Sequence, residues 1–130
     1  MTSYDRPEER VRASLVDLMC SELGYPRSLI AIEKQLAAFP GCSSAPNRRL
    51  DIICFMPHAS APLLLIECKA EGNEEAARRQ VIGYNFYIGA PFVAIASSRG
   101  VETASRASSP DAYSFQKGLP RFEALIEALV

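Results

Sequence analysis

With 130 residues, 48% of them apolar and 22% charged, the chain has the make-up of a folded domain in water and not of a disordered or membrane-embedded one. Its 14 Lys and Arg against 15 Asp and Glu leave a formal charge of −1, which excludes coating nucleic acid by bulk electrostatics. Any contact with DNA would need a local basic patch. One domain, 1–130, is expected, able to bury roughly two-thirds of its unfolded surface. No run approaches the roughly eighteen apolar residues of a membrane span, and the polar, acidic start is unlike a signal peptide. Cys20, Cys42, Cys54 and Cys68 form no CxxC pair. Free thiols in a reducing cytoplasm are therefore expected, without disulfides or a zinc site.

The first element is a helix, with Asp5 as its cap, Pro7 in the first turn, and Glu8 and Glu9 at the positive end of the dipole. Val11, Leu15, Leu18, Met19 and Leu23 recur at helical spacing until Gly24 and Pro26 stop it. Residues 29–35 read as a strand, apolar at its start and charged at its exit. Residues 39–47, rich in Pro, Gly and Ser, are a loop. A second strand covers 48–56, with Arg49, Asp51, Ile53 and Phe55 on one face and Leu50, Ile52, Cys54 and Met56 on the other. Both faces are largely apolar, so this strand is central and Asp51 is an anomaly on it. The loop 57–62 has hairpin length, which makes the third strand an antiparallel neighbour.

That third strand is the apolar run Leu63 to Ile66, buried on both faces, which runs out into Glu67-Cys68-Lys69. A helix follows over 74–88, with Asn73 as its cap and Gly89 and Pro91 ending it. Residues 92–96 form a fourth, buried strand, and the intervening helix makes strands three and four parallel. Residues 101–110 show no distinct element. Residues 112–115 suggest a short edge strand. A closing helix over 120–130 turns Phe122, Leu125, Ile126 and Leu129 inward. The pattern is α-β-β-β-α-β-(β)-α around a mixed sheet.

The chemistry gathers at the end of the third strand. Strand period two puts Glu67 and Lys69 on one face, roughly 6.6 to 6.8 Å apart along the chain. Two charges at the end of a buried strand cost desolvation energy unless they are compensated. If strands two and three pair, Asp51 lies near Glu67, and two such carboxylates raise each other's pKa unless a cation sits between them. A few hard oxygen ligands suit Mg²⁺ or Mn²⁺, with water completing the shell. Lys69 could then orient or deprotonate an attacking water. Against this stands a plain structural reading. Glu67 and Lys69 could be a surface ion pair worth about 0–1 kcal/mol, and Asp51 could serve only to satisfy backbone amides.

Arg48-Arg49-Leu50-Asp51, then Leu63-Leu64-Leu65-Ile66-Glu67-Cys68-Lys69, then Gln80-Val81-Ile82-Gly83-Tyr84 resembles the PD-(D/E)xK nuclease superfamily. It is most similar to the N-terminal nuclease domain of type I restriction enzyme R subunits, in which Q-x-x-x-Y follows the ExK. The resemblance runs from the first helix to about residue 106. It implies an α/β fold, a three-layer restriction-endonuclease-like core whose central mixed sheet of four to five strands is flanked by helices. The implied activity is metal-dependent endonuclease hydrolysis of DNA phosphodiester bonds. Asp51, Glu67 and the backbone carbonyl of Cys68 would be metal ligands, and Lys69 the catalytic lysine. Glu9 would help hold metal or water, with Glu8 the neighbouring candidate.

Gln80 and Tyr84 are four apart on a helix and could position a DNA strand; alternatively Tyr84 packs on Val81 and Ile88 while Gln80 faces solvent. Arg78 and Arg79, with Arg48 and Arg49, could form the basic rim a phosphodiester needs. Leu50 stands where the motif's name has proline. The helicase motifs of a whole R subunit are absent, so separate motor and specificity proteins, or a homodimer, are the expected protein partners beside DNA. The alternative is a weak or inactive nuclease-fold module that binds nucleic acid or a partner protein.

Overall fold

The computed structural model describes residues 6–130; the expected cap at Asp5 lies outside them. Helix α1 spans Pro7–Ser21, with Pro7 opening it and Glu8 and Glu9 in its first turn. Its N-cap position is Arg6, which makes no side-chain capping bond. Strand β1 (Ile30–Gln35) follows a short 3-10 turn. Strands β2 (Arg49–Phe55) and β3 (Pro62–Cys68) come next, then helix α2 (Glu74–Ile88). Strands β4 (Phe92–Ser97), β5 (Gly100–Ser105) and β6 (Gln116–Lys117) precede helix α3 (Phe122–Glu127).

All six strands form one mixed sheet in chain order. The β3–β4 pair is parallel and the other neighbours are antiparallel. The parallel pair is the one joined through α2, because a parallel connection must cross over the sheet. Six strands are more than the four to five the sequence suggests. The addition is β5, a partner of β4 across the two-residue turn Ser98-Arg99. The edge strand sits at Gln116–Lys117 rather than 112–115, where a 3-10 turn, Pro110–Ala112, takes the chain round.

Strand alternation sends side chains to two cores. On one face Ile52, Cys54, Leu64, Ile66, Cys68, Ala94 and Ala96 pack against Leu15 and Met19 of α1 and Leu125 of α3. On the other, Ile53, Leu65, Val93 and Ile95 pack against Ala77, Val81 and Tyr84 of α2. Each large aliphatic side chain buried in this way contributes about 1.5–3 kcal/mol. The last helix is shorter than expected, and Leu129 is 43% exposed instead of turned inward. Phe122 and Ile126 do pack on the α1 core. Arg121 Nη1 donates to the Glu22 carbonyl at 2.7 Å, a cation placed at the negative end of α1.

Helix α2 ends as its sequence predicts. Gly89 takes φ 71, a left-handed conformation open to glycine at little cost, and its N–H returns to the Asn85 carbonyl. At the other end Asn73 holds the N-cap position without a side-chain bond, and the Glu74 carboxylate accepts from the Gly72 N–H at 3.1 Å. No helix among the described residues is long and apolar enough to cross a membrane.

Candidate functional site

The register Ile52↔Ile66 and Ile53↔Leu65, carried one step further, sets Asp51 across from Glu67 on adjacent central strands. Both belong to the face covered by α2, because they alternate with residues of the α1 face. Asp51 Oδ2 accepts the Cys68 N–H at 2.8 Å, so the backbone of the motif fixes one carboxylate oxygen. The amide-satisfying role is real, and it also orients Asp51 toward the end of β3. The Cys68 side chain points into the opposite core, where burial pushes its thiol up. Only its backbone is therefore left to face the acids.

Glu67 is 5% exposed. Burial, then the negative charge and hydrogen bonding of Asp51, push its carboxyl up from 4.5 to about 9. Lys69 opposes that rise without overcoming it. Its Nζ lies 3.5 Å from Glu67 Oε2, and its N–H donates to the Ala96 carbonyl at 2.9 Å, just past the end of β3. The raised carboxyl favours the protonated form of Glu67 in the metal-free protein, with the Lys69 amine beside it. A buried acid held neutral beside a second carboxylate is the arrangement a cation would compensate.

On α2, Gln80 Nε2 donates to the Tyr84 hydroxyl at 2.6 Å. Gln80 thus does not simply face solvent, and Tyr84 packs in the core that holds Val81 and Ile88. The phenol is pushed up mainly by burial, and it feels Glu67, Asp51 and Arg48 as well. Tyr84, with Gln80 bonded to it, thus lies within electrostatic reach of the carboxylate pair. Arg49 is exposed at the start of β2.

Arg78 and Arg79 are turned to other partners. The Arg78 fork grips the Glu102 carboxylate, with Nη2 at 2.9 Å from both oxygens, and Arg78 also meets Glu75 and the Phe115 ring. Arg79, 70% exposed, lies 3.6 Å from Glu75.

Glu8 is exposed on α1, whereas Glu9 Oε2 is buried with no hydrogen-bond partner among the described residues. Of the two acids, Glu9 is the one with an oxygen free for a ligand. Among the described residues, no three His, Cys, Asp or Glu side chains gather into a complete metal set. A cation here would rest on Asp51, Glu67, backbone oxygen and water, which suits Mg²⁺ or Mn²⁺ better than a metal that needs a full protein cage.

Two charged residues join α1 to β1, where the register leaves Glu33 opposite Asp51. Arg12 Nη1 is 3.0 Å from Glu33 Oε1. Glu33 holds φ 53 inside β1, in the left-handed region. A part-exposed ion pair is worth about 0–1 kcal/mol. A left-handed non-glycine residue costs about 1–3 kcal/mol. The pair alone does not account for the kink.

No curated protein matches the chain. The family model for the type I restriction enzyme R protein N terminus matches residues 7–120. That span takes in α1, Asp51, Glu67, Lys69, Gln80 and Tyr84, and the chain belongs to the type I restriction enzyme R protein N-terminus family.

Proposed function

We propose that this chain is a divalent-metal-dependent nuclease domain hydrolysing DNA phosphodiester bonds, on a three-layer restriction-endonuclease-like core. The observation that carries the reading is the buried Asp51–Glu67 pair with Lys69 on the same strand end. Asp51, Glu67 and the Cys68 carbonyl would hold Mg²⁺ or Mn²⁺, and Glu9 would offer its free oxygen to the metal or to a bound water. When bound, the ion would polarise the phosphate and offset its charge.

The chain's own groups do the rest. Lys69 orients the attacking water or balances charge that grows on the phosphate. Asp51, steadied by the Cys68 N–H, keeps its carboxylate aimed at the centre. The Gln80–Tyr84 pair presents polar donors from the α2 side to position the strand. Arg48 and Arg49 supply positive charge where β2 begins, so the patch a nearly neutral protein needs is local.

The test is cleavage of supercoiled plasmid and of short single- and double-stranded DNA in Mg²⁺ or Mn²⁺. Wild type is expected to cut one of these, EDTA to stop it, and Asp51→Asn to lower the rate at least about 100-fold. DNA bound but left uncut would point instead to a nuclease-fold binding module. DNA neither bound nor cut contradicts the reading.

A further inference from the structure

Helix α2 turns an open face to solvent beyond its first turn. Arg79 and Phe86 are seven residues apart, as are Gln80 and Tyr87, so each pair lies two turns apart on one side of the helix. Phe86 is 84% exposed and Tyr87 39% exposed. Their rings meet edge to face at 89°, with centroids 5.4 Å apart. Gly83 sits between the two pairs, and a Cβ there would meet nothing within 4 Å. Packing does not require glycine at that point, and its effect is a bare lane from Arg79 to the aromatic rings.

This end of the helix is fixed. The Tyr87 carbonyl accepts the Cys42 thiol at 3.4 Å, which ties it to the loop before β2, and Gly89 closes the last turn. Arg106 Nη1 donates to the Gly89 carbonyl at 3.0 Å, and Phe86 and Arg106 line one cleft of about 190 Å³. Arg79 lies 3.6 Å from Glu75 in a contact exposed on both sides, too weak to keep it from another anion. From residue 76 to residue 101 the chain has no Asp or Glu.

Isolated exposed apolar side chains are ordinary, but two adjoining rings on a fixed helix, flanked by arginines and clear of acids, select an occupant. Such a face complements flat apolar groups strung on a polyanion, which is a nucleic-acid strand. A second copy of this chain docked here would bring two more arginines to the same face. In a duplex each base is stacked between its neighbours, so these rings can take a base only from an unpaired strand.

We propose that Phe86, braced by Tyr87, is a stacking platform for a base of an unpaired DNA strand, with Arg79 and Arg106 meeting the phosphates to either side. The inference rests on the nuclease reading above and names its substrate class, single-stranded or frayed DNA. Tyr84, which Gln80 bonds at 2.6 Å, stands one turn before Tyr87 on α2. A strand stacked at Phe86 is thus held in line with the pair which that reading assigns to positioning DNA.

The test is binding of an end-labelled thymidine oligonucleotide, with Ca²⁺ in place of Mg²⁺, beside a strand of equal length built of abasic sites and a duplex. Wild type should prefer the thymidine strand to the abasic one by about ten-fold or more. Phe86→Leu keeps an apolar side chain and removes the ring. It should lose about ten-fold on the thymidine strand and stay within about two-fold of wild type on the abasic strand. Phe86→Trp should bind the thymidine strand alone more tightly, because the larger ring offers more stacking area. Folded Phe86→Leu protein with wild-type affinity for the thymidine strand would overturn the proposal. So would a wild-type dimer that Phe86→Leu dissolves while DNA binding is unchanged, which gives this face to a second copy. If Phe86→Leu does not fold, Phe86→Trp decides: a gain on the thymidine strand alone supports the platform, and no gain overturns it. Wild type that binds duplex yet does not distinguish thymidine from abasic strand removes the platform alone. Wild type that binds none of the three overturns the nuclease reading, and the platform with it.

Discussion

Glu67→Gln is expected to abolish cleavage and, in the same protein, to raise the stability of the metal-free chain at pH 7 by about 1–3 kcal/mol. The two effects share a cause. Folding buries the Glu67 carboxyl beside Asp51 and moves it from 4.5 to about 9. Between those values the folded chain holds a proton that the unfolded chain has released. Stability therefore falls as pH rises from 4.5 to about 9, and is flat with respect to this group outside that window.

Glutamine keeps the shape, can donate to Asp51 as the protonated acid does, and has no charge to release on unfolding. Urea unfolding of wild type and Glu67→Gln in EDTA, at several pH values from 5 to 9, measures the difference. The variant's advantage should grow across the window. An unchanged or lower stability at pH 8 would mean that Glu67 is ionised and compensated in the metal-free fold.

Lys69→Met should lower the rate of DNA cleavage by about 10²- to 10⁴-fold, while affinity for DNA falls less than about ten-fold. Such a rate loss corresponds to about 3–5 kcal/mol of barrier. Methionine keeps the length of the stem, so packing of this part-exposed side chain changes little. What is lost is the ammonium 3.5 Å from Glu67. Lys69 also holds the Glu67 carboxyl down against burial, so the variant's acid is harder to ionise and its metal requirement shifts to higher concentration. Single-turnover cleavage at saturating metal separates the two losses. A rate within ten-fold of wild type there would leave Lys69 a structural partner of Glu67 only. Lys69→Arg is not expected to rescue, because a planar fork does not replace a compact ammonium.

Much of this arrangement is legible in the residues. The hairpin loop between the second and third strands implies their pairing, and the pairing sets Asp51 across from Glu67. Helix α2 runs from Glu74 to Ile88 as its periodicity and Gly89 predict, so Gln80 and Tyr84 fall one turn apart.

Other features leave no local trace. In β5, Gly100-Val101-Glu102-Thr103-Ala104-Ser105 mixes small and polar residues with a single larger apolar one near the sheet's edge, and only Thr103 and Ala104 are buried. Without that strand nothing shows that Glu102 waits for Arg78, so Arg78 reads as a free cation when its fork is taken. The Arg12–Glu33 contact joins residues 21 positions apart through a left-handed glutamate, a conformation no side-chain type announces. Glu8 and Glu9 are indistinguishable as letters; the packing of α1 separates them.

The central claim is that Asp51 and Glu67 form a divalent-cation site, and calorimetric titration of the protein with Mn²⁺ and Mg²⁺ tests it most directly. Wild type should bind, with a short DNA present where substrate oxygens complete the shell, and should release close to one proton per ion at pH 7 as Glu67 ionises. Asp51→Ala with Glu67→Ala should bind nothing at this centre. Wild-type protein that is folded yet silent toward both ions, with and without DNA, would contradict the account.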